Sequence, residues 1–234
     1  MKIMSFNTQH CMNFMTKEID YKIMAEAISQ CGADVVGLNE MRNQGDEEGY
    51  EPQTALLSAL TGMSHHYFAE AIRFRGKNPY GNALISKYRM ISADTILVSD
   101  PDPSMRTGIH TYETRCLLKA KLENGVTVMV IHFGLNEDEK QNAVKTVLDH
   151  LEDEKCILMG DFNLIPDSPL LEPIRARMRD TADVFTAPKL SFPSDKPYRK
   201  IDYIFVSQDI EIVSADIPAI VASDHRPHIA EVRV

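Results

Sequence analysis

The sequence predicts an α+β protein in which two β-sheets pack face to face as a layered α/β sandwich. Segments with the residue pattern of strands outnumber those with the pattern of helices. The helical segments are spaced so that each could cover an outer face of one sheet. No internal repeat, low-complexity tract or linker interrupts the 234 residues, and we therefore expect a single domain over residues 1–234.

The first half of the chain combines five predicted strands with two helices. The first helix is predicted because Ile19, Ile23 and Ala27 recur at the spacing of one helix face, and Gly32 stops it. Gly62 ends the second helix in the same way. Helices are predicted over residues 17–30 and 53–60, and strands over residues 2–6, 33–38, 65–69, 82–86 and 90–98.

The second half of the chain begins with an exposed connection rich in Pro and Gly and continues with a hairpin. Asn124-Gly125 supplies the positive φ that a tight hairpin turn requires. An amphipathic helix follows, with Ala143 and Val147 on one face. The predicted elements are the connection 100–112, strands 115–122 and 126–132, the helix 137–151, a broken helical region 169–178, a loop 188–200, and strands 201–206, 210–220 and 228–234.

The run from Cys156 to Asn163 is the segment around which we expect a functional site to be organised. It begins as a short apolar run typical of a buried strand and breaks at Gly160. Because side chains i and i+2 of an extended backbone point to the same side, Asp161 and Asn163 can face one substrate while Phe162 turns into the core. Gly-Asp-x-Asn is also typical of an ordinary turn, so this interpretation depends on other polar residues along the chain.

The net charge limits the classes of partner. Lysine and arginine number 25 and aspartate and glutamate number 34, so the net charge is −9. This charge argues against a protein that coats nucleic acid non-specifically, because such binding depends on neutralising many phosphates. It does not exclude a phosphodiester enzyme, since a bound cation can neutralise several acids.

Cysteine usage and the N-terminal residues predict a cytoplasmic protein. The N-terminus enters a strand directly, without an export signal, and no stretch is long enough to span a membrane. A chain from which an export signal had been removed would have the same pattern. No obligate protein partner is evident. The cysteines lack metal-ligand spacing, and we expect all four to be reduced core residues: Cys11, Cys31, Cys116 and Cys156.

Polar residues recur where the buried strands end. Each has a structural alternative, since Asn7 could cap a turn, Glu40 could be a solvated loop acid, and a single His is more often structural than catalytic. Clustered acids, however, repel one another unless a cation lies among them, and oxygen ligands select a hard cation such as Mg²⁺, with Mn²⁺ as a substitute. The positions are Asn7, Glu40, His132, Asp161, Asn163, Asp202 and Ser223-Asp224-His225.

These residue types suit hydrolysis at phosphorus by in-line attack of a water. Asp161 could deprotonate or orient that water. Asn7, Asn163 and a histidine could donate hydrogen bonds to the phosphoryl oxygens as charge develops there. Asp202 could hold His225 in one tautomer and raise its pKa. The leaving alkoxide would be neutralised by a cation or by a histidine.

Seven short segments carry a family resemblance. They are Ser5-Phe6-Asn7, Leu38-Asn39-Glu40, Tyr80-Gly81-Asn82-Ala83-Leu84-Ile85-Ser86, Ile131-His132-Phe133-Gly134, Gly160-Asp161-Phe162-Asn163, Lys200-Ile201-Asp202-Tyr203-Ile204-Phe205 and Ser223-Asp224-His225. In this order they resemble the signatures of the endonuclease/exonuclease/phosphatase superfamily, the DNase I-like fold, and most closely a small bacterial member. The resemblance implies a four-layer αββα sandwich of two mainly antiparallel sheets, with the site at one rim of the paired sheets.

The resemblance implies roles for five residues in binding the metal, activating the nucleophilic water and binding the phosphate. Glu40 would be the principal Mg²⁺ ligand, assisted by Asn7 and Asp224. Asp161 would orient or deprotonate the nucleophilic water. Asn163 would bind the phosphate.

The resemblance also implies roles for two histidines and their neighbours. His225 would contact a phosphoryl oxygen and be held by Asp202. His132 would donate to the phosphate or to the leaving group. Arg115 is similar to a phosphate-contacting arginine of DNase I-like members, and Tyr80 could add an aromatic wall to the substrate site.

Departures from the family pattern bear on the substrate. Asn39 stands where most members have Gln, and His132 resembles DNase I, the sphingomyelinases and the inositol-phosphate phosphatases rather than the abasic-site repair members, which usually have Tyr. The basic islands 72–77 and 196–200 are either surface charge or a rim that steers an anionic substrate. We expect a small-molecule or lipid head-group phosphoester, with a nuclease acting on DNA or RNA as the alternative. A non-catalytic binding module of the same fold is the second alternative.

Overall fold

Two six-stranded β-sheets form the centre of the structure, a computed structural model that describes residues 1–234. The strands are β1 (Lys2–Asn7), β2 (Val35–Arg42), β3 (His65–Phe74), β4 (Asn78–Ser86), β5 (Met90–Leu97), β6 (Cys116–Leu122), β7 (Thr127–His132), β8 (Cys156–Asp161), β9 (Met178–Asp180), β10 (Asp202–Ser207), β11 (Glu211–Asp216) and β12 (His228–Arg233). The helices are α1 (Tyr21–Cys31), α2 (Gln53–Thr61), α3 (Glu137–His150) and α4 (Glu172–Arg175). None of them combines the length and the apolar character needed to cross a bilayer.

Each sheet is mainly antiparallel and contains one parallel pair of strands. The order is β11-β12-β1-β2-β4-β3 in the first sheet and β5-β6-β7-β8-β10-β9 in the second. The parallel pairs are β1 with β2 and β7 with β8. A helix joins the strands of each pair, α1 in the first sheet and α3 in the second, because parallel neighbours need a long crossover.

Three apolar clusters fill the spaces between four layers. The middle cluster, which includes Val128, lies between the two sheets. A second cluster joins the first sheet to α1 and α2 through Met24 and Leu57. The third joins the second sheet to α3 through residues such as Val147 and Phe162. The chain is therefore the predicted four-layer αββα sandwich, and Phe162 turns into the core as predicted.

Most predicted elements are present, and the ends of several differ. The hairpin is confirmed, with Gly125 at φ 85° in its turn. Helix α1 starts later than predicted because the side chain of Asp20 caps it, accepting hydrogen bonds from the main-chain N–H groups of Lys22 and Ile23. The four cysteines are buried and free, as predicted.

Several strand predictions were wrong in extent. Strand β2 continues to Arg42 rather than ending before Asn39-Glu40, and β3 continues to Phe74. Strand β4 already begins at Asn78, and β11 ends at Asp216. Strand β9 was missed, because three residues are too few to show a period-2 alternation. It is stabilised by pairing with β10, which is a non-local interaction.

The register of the strands places the polar residues at one rim. In the second sheet Asp161 pairs with His132 on one side and with Asp202 on the other. In the first sheet Asn7 pairs with Asn39. All of these pairs are at strand ends or at a β-bulge, so their side chains meet where the two sheets end together.

A β-bulge in β2 gives Glu40 its position. Leu38 pairs with Ala83 and Met41 pairs with Gly81, so two residues of β2 face one residue of β4. Glu40 is one of these two and has φ 60°, a left-handed conformation that non-glycine residues adopt rarely. Backbone of this kind is concentrated at functional sites.

Candidate active site

The carboxylate of Asp161 is the centre of the polar cluster. Its Oδ2 accepts a hydrogen bond of 3.1 Å from Asn7 Nδ2 and lies 3.5 Å from His132 Nε2 and 3.6 Å from His225 Nε2. Its Oδ1 accepts a hydrogen bond of 2.9 Å from the main-chain N–H of Asn163. The residue is only 2% exposed. Asp161 is therefore a desolvated acid surrounded by donors.

Asn7 connects Asp161 to Glu40 across the two sheets. The same Nδ2 group donates to Glu40 Oε1 at 3.1 Å and to Asp161 Oδ2 at 3.1 Å. Its Oδ1 accepts from the main-chain N–H of Gln9 at 3.0 Å, which sets the orientation of the carboxamide. One carboxylate from each sheet is thus held by one amide.

His225 is ion-paired on both sides of its ring. Its Nδ1 donates to Asp202 Oδ2 at 2.8 Å, and its Nε2 faces Asp161. Burial by itself lowers the pKa of His225, but the two carboxylates outweigh burial and raise that pKa to about 10. His225 is therefore an imidazolium at neutral pH.

His132 is in the opposite protonation state. Arg115 Nη1 lies 3.2 Å from His132 Nδ1 and 2.6 Å from Glu113 Oε1. Burial, and then the charges of Arg115 and His225, hold the pKa of His132 well below its usual value. Because an arginine can only donate, Nδ1 accepts and the proton of the neutral ring is on Nε2, which lies 3.5 Å from Asp161 Oδ2 and 3.3 Å from Asn163 Nδ2.

Burial also sets the protonation of Asp161. Burial raises the pKa of Asp161 to about 7, although His225 and the hydrogen bonds from Asn163 and Asn7 act in the opposite direction. A carboxylate whose pKa lies near neutrality can accept a proton from water and release it again.

Two acids act on Tyr80: Glu40 of the first sheet and Glu113, which precedes β6 of the second sheet. Burial, and then the charges of Glu40 and Glu113, raise the pKa of Tyr80 well above its usual value, while Arg115 lowers it. The charge of Glu40 therefore reaches Tyr80, whereas the acid in direct contact with Arg115 is Glu113. Glu113 was not identified from the sequence, although its position two residues before Arg115 places it on the same side of an extended segment.

Comparison with known proteins identifies the family. A model of the Endonuclease/Exonuclease/phosphatase family matches residues 4–225. The chain belongs to this family. Members of the endonuclease/exonuclease/phosphatase family are generally hydrolases that act on phosphoesters, and they usually use divalent metals. No curated protein matches the sequence.

Solved structures of the endonuclease/exonuclease/phosphatase family have the same fold at low sequence identity. The protein from Beutenbergia cavernae has a TM-score of 0.77 and 20% identity over 100% of this chain and 71% of its own. The protein from Bacteroides vulgatus has a TM-score of 0.77 and 19% identity over 100% of this chain and 98% of its own. A mannosyl-6-phosphatase from Bacteroides thetaiotaomicron has a TM-score of 0.77 and 14% identity, and each chain covers 100% of the other.

The oxygen-rich donor set fits a hard divalent cation of the kind that the endonuclease/exonuclease/phosphatase family uses. Asp161, Asp202 and His225 place one ligand atom each within 4.8 Å of one another. His225 already supplies positive charge there as an imidazolium, and both of its nitrogens face carboxylates. Glu40 has only the hydrogen bond from Asn7, so a cation fits better beside Glu40.

Asp224 differs from the other predicted metal-site residues. Its Oδ1 accepts a hydrogen bond of 3.0 Å from the Ser223 hydroxyl rather than from Asn7. Its charge helps to raise the pKa of His225. The structure therefore places Asp224 beside His225, and no hydrogen bond joins it to the Asn7–Glu40 pair.

A cavity of about 410 Å³ is lined by residues outside the cluster around Asp161. Lys200, Asp180 and Phe185 are among its lining residues. Lys200 is only 6% exposed, and its ammonium donates to the main-chain oxygen of Asp202 at 3.2 Å. None of the residues around Asp161 lines this cavity, so the candidate active site is the charged cluster and not the cavity.

Proposed function

We propose that the protein is a metal-dependent phosphohydrolase that cleaves a phosphoester by in-line attack of a water activated by Asp161. The observation that carries this proposal is the buried Asp161 carboxylate, which Asn7, His132 and His225 contact from both sheets. A desolvated acid among oriented donors disfavours a binding module that merely keeps the fold, because such an acid costs stability and has no structural use.

Proton transfer and phosphate binding are assigned to different residues. Asp161 takes the proton of the attacking water, for which a pKa of about 7 is well matched. Asn163 would bind the phosphate, and its Nδ2 is held in place by the main-chain oxygen of Phe133 at 3.1 Å, 3.3 Å from Nε2 of His132. Nε2–H of His132 and Nε2–H of His225 supply further donors for the negative charge that develops on the phosphoryl oxygens.

Glu40 is the proposed principal metal ligand, and Asn7 and Asp224 are the proposed further ligands. When bound there, Mg²⁺, or Mn²⁺ in its place, would neutralise a phosphoryl or leaving oxygen as a Lewis acid. Arg115 and Tyr80 would contact the phosphate or the group attached to it. Because the ion pair with Glu113 already neutralises the charge of Arg115, Arg115 would bind the phosphate only together with other donors.

A small-molecule or lipid head-group phosphoester is favoured over nucleic acid as the substrate. The cations of the first basic island are each paired with an acid: Arg73 with Glu70, Arg75 with Glu47 and Lys77 with Asp46. Such pairs leave little free positive charge for a polyanion, and the net charge is −9. The similarity in fold to a mannosyl-6-phosphatase is in line with a small substrate.

A hydrolysis panel tests the proposal. The substrates are p-nitrophenyl phosphate, bis-p-nitrophenyl phosphate, a hexose 6-phosphate, sphingomyelin and plasmid DNA, each with Mg²⁺, with Mn²⁺ or with EDTA. We expect turnover that EDTA and Asp161→Asn both abolish and that Asp34→Asn, a change in an acid paired with Lys87 elsewhere, leaves intact. Preference for DNA would favour the nuclease alternative. Turnover that persists in Asp161→Asn would contradict the mechanism.

A further inference from the structure

Asn39, the residue before Glu40, sends its side chain from the first sheet into the second. Its Oδ1 accepts a hydrogen bond of 2.9 Å from the main-chain N–H of Asp161, and its Nδ2 donates to the main-chain oxygen of Ile131 at 3.0 Å. Asn39 is fully buried. Its carboxamide therefore spans the ends of β7 and β8, the strands that carry His132 and Asp161.

A second buried amide extends this connection. Asn39 Nδ2 also donates to Asn82 Oδ1 at 2.8 Å, and Asn82 Nδ2 donates to the main-chain oxygen of Cys116 at 2.8 Å. We call this chain of hydrogen bonds the Asn39–Asn82 bridge. It joins β2 and β4 of the first sheet to β6, β7 and β8 of the second, and every amide N–H in it has an acceptor.

The bridge lies at the edge of an otherwise apolar interface. Two residues before Asn39, a Cβ added to Gly37 would lie 2.6 Å from Met159 Sδ and 2.8 Å from Val130 Cγ2, so the sheets approach closely there. Apolar contacts of this kind are strong but non-directional, so they hold the sheets together without orienting one polar group against another. Hydrogen bonds between buried amides are directional and tolerate much less displacement.

We propose that Asn39 is a positioning residue whose bridge sets the distance between the two halves of the active site. One half, Glu40 and Asn7, belongs to the first sheet, and the other, Asp161 and His132, belongs to the second. Asn39 precedes Glu40 at the β-bulge and hydrogen-bonds the main chain of Asp161, so it is one covalent or hydrogen bond away from each half. The inference rests on the proposed function only for its kinetic test.

The kinetic test compares two bridge variants with a matched core variant. Asn39→Ala removes the bridge, and Asn82→Ala removes its outer part while leaving Asp161 bonded to Asn39. Val128→Ala shortens a buried side chain of the same inter-sheet cluster away from the bridge and controls for lost stability. At a temperature where all are folded, we expect kcat to fall about 10- to 100-fold in Asn39→Ala, less in Asn82→Ala and little in Val128→Ala, because small misplacements of reacting groups are costly.

Two readouts separate positioning from a merely structural role. The Mg²⁺ concentration for half-maximal activity should rise in Asn39→Ala, while KM for the substrate changes less than kcat. Amide hydrogen exchange provides a readout that does not depend on activity. In Asn39→Ala the main-chain N–H of Asp161 should exchange faster, measured relative to that of Met159. In Val128→Ala this ratio of exchange rates should be unchanged.

The outcomes are distinguishable from failure of the proposed function. If the wild-type protein hydrolyses no phosphoester, the exchange experiment still tests the bridge. If Asn39→Ala does not fold, Asn82→Ala carries the kinetic measurement, and Asn39→Leu, which keeps the side-chain volume without its polar atoms, carries the exchange measurement. Wild-type kcat in the bridge variants with only a lower Tm, or Asp161 exchange no faster than in Val128→Ala, would overturn the proposal.

Discussion

Asp202 accepts a hydrogen bond of 2.8 Å from Nδ1 of His225, while its other carboxylate oxygen, Oδ1, is buried without a partner. The imidazolium is thus the main compensation for a fully buried carboxylate. Because each residue stabilises the charged form of the other, this ion pair affects how the stability of the fold depends on pH.

Replacing Asp202 by Asn should lower the pKa of His225 from about 10 towards its ordinary value of 6.5. A raised folded-state pKa contributes stability that is complete below pH 6.5 and lost as the pH rises through about 10. In Asp202→Asn this loss should occur at lower pH. Urea unfolding between pH 6 and 10 in EDTA, with NMR titration of the His225 ring, measures both effects. An unchanged His225 pKa would contradict the assignment.

Asp161→Asn should abolish activity and change the pH dependence of stability. The folded pKa of Asp161 is raised from 3.8 to about 7, so its contribution is complete below the unfolded value and is lost as the pH rises through about 7. The free energy of unfolding of the wild type relative to Asp161→Asn should therefore decrease between about pH 4 and 7. Denaturation in EDTA across this range checks the sign. A constant difference would show that Asp161 is not desolvated.

Glu40→Gln should raise the Mg²⁺ concentration needed for half-maximal activity by at least about 10-fold, because it replaces an anionic ligand by a neutral one. Glu47→Gln is the matched control, since Glu47 is an exposed acid paired with Arg75. Mg²⁺ titrations of the two variants under identical salt provide the comparison. Equal metal requirements would remove Glu40 from the metal site.

Arg115→Gln should raise the pKa of His132, because the guanidinium adjacent to Nδ1 is one cause of its depression. Burial is the larger cause and persists, so we expect the pKa to remain below 6.5. Proton-coupled NMR of the His132 ring measures the shift and reports which nitrogen carries the proton. A ring protonated on Nδ1 in the wild type would contradict the role given to Arg115.

Gly160→Ala should destabilise the fold by at least about 2 kcal/mol. Gly160 has φ 150°, and an added Cβ would lie 1.8 Å from the main-chain oxygen of Ile131. Relief would require β7 and β8 to separate at the position where they present His132 and Asp161. Chemical denaturation measures the loss of stability. Gly62→Ala is the control, because Gly62 has φ 71° but nothing lies within 4 Å of its added Cβ. It therefore gives the cost of backbone strain alone.

Local physics accounts for much that could be predicted from the sequence. The Asn124-Gly125 turn predicted the hairpin, and the alternation of side chains along an extended backbone predicted that Phe162 is buried. These features depend only on residues that are close in the sequence, so the sequence alone is enough to predict them. The family resemblance added the four-layer arrangement of the sheets.

Tertiary structure decided the features that depend on pairing across the chain. The bulge that positions Glu40 requires β4, and the proton on Nε2 of His132 requires Arg115, which directly precedes β6. Asn39 is next to Glu40 in the sequence, but its side chain accepts a hydrogen bond from the main-chain N–H of Asp161, which lies 122 residues away. Hydrogen bonds between segments that are distant in the sequence form only when the sheets have packed. No periodicity in the sequence therefore predicts them.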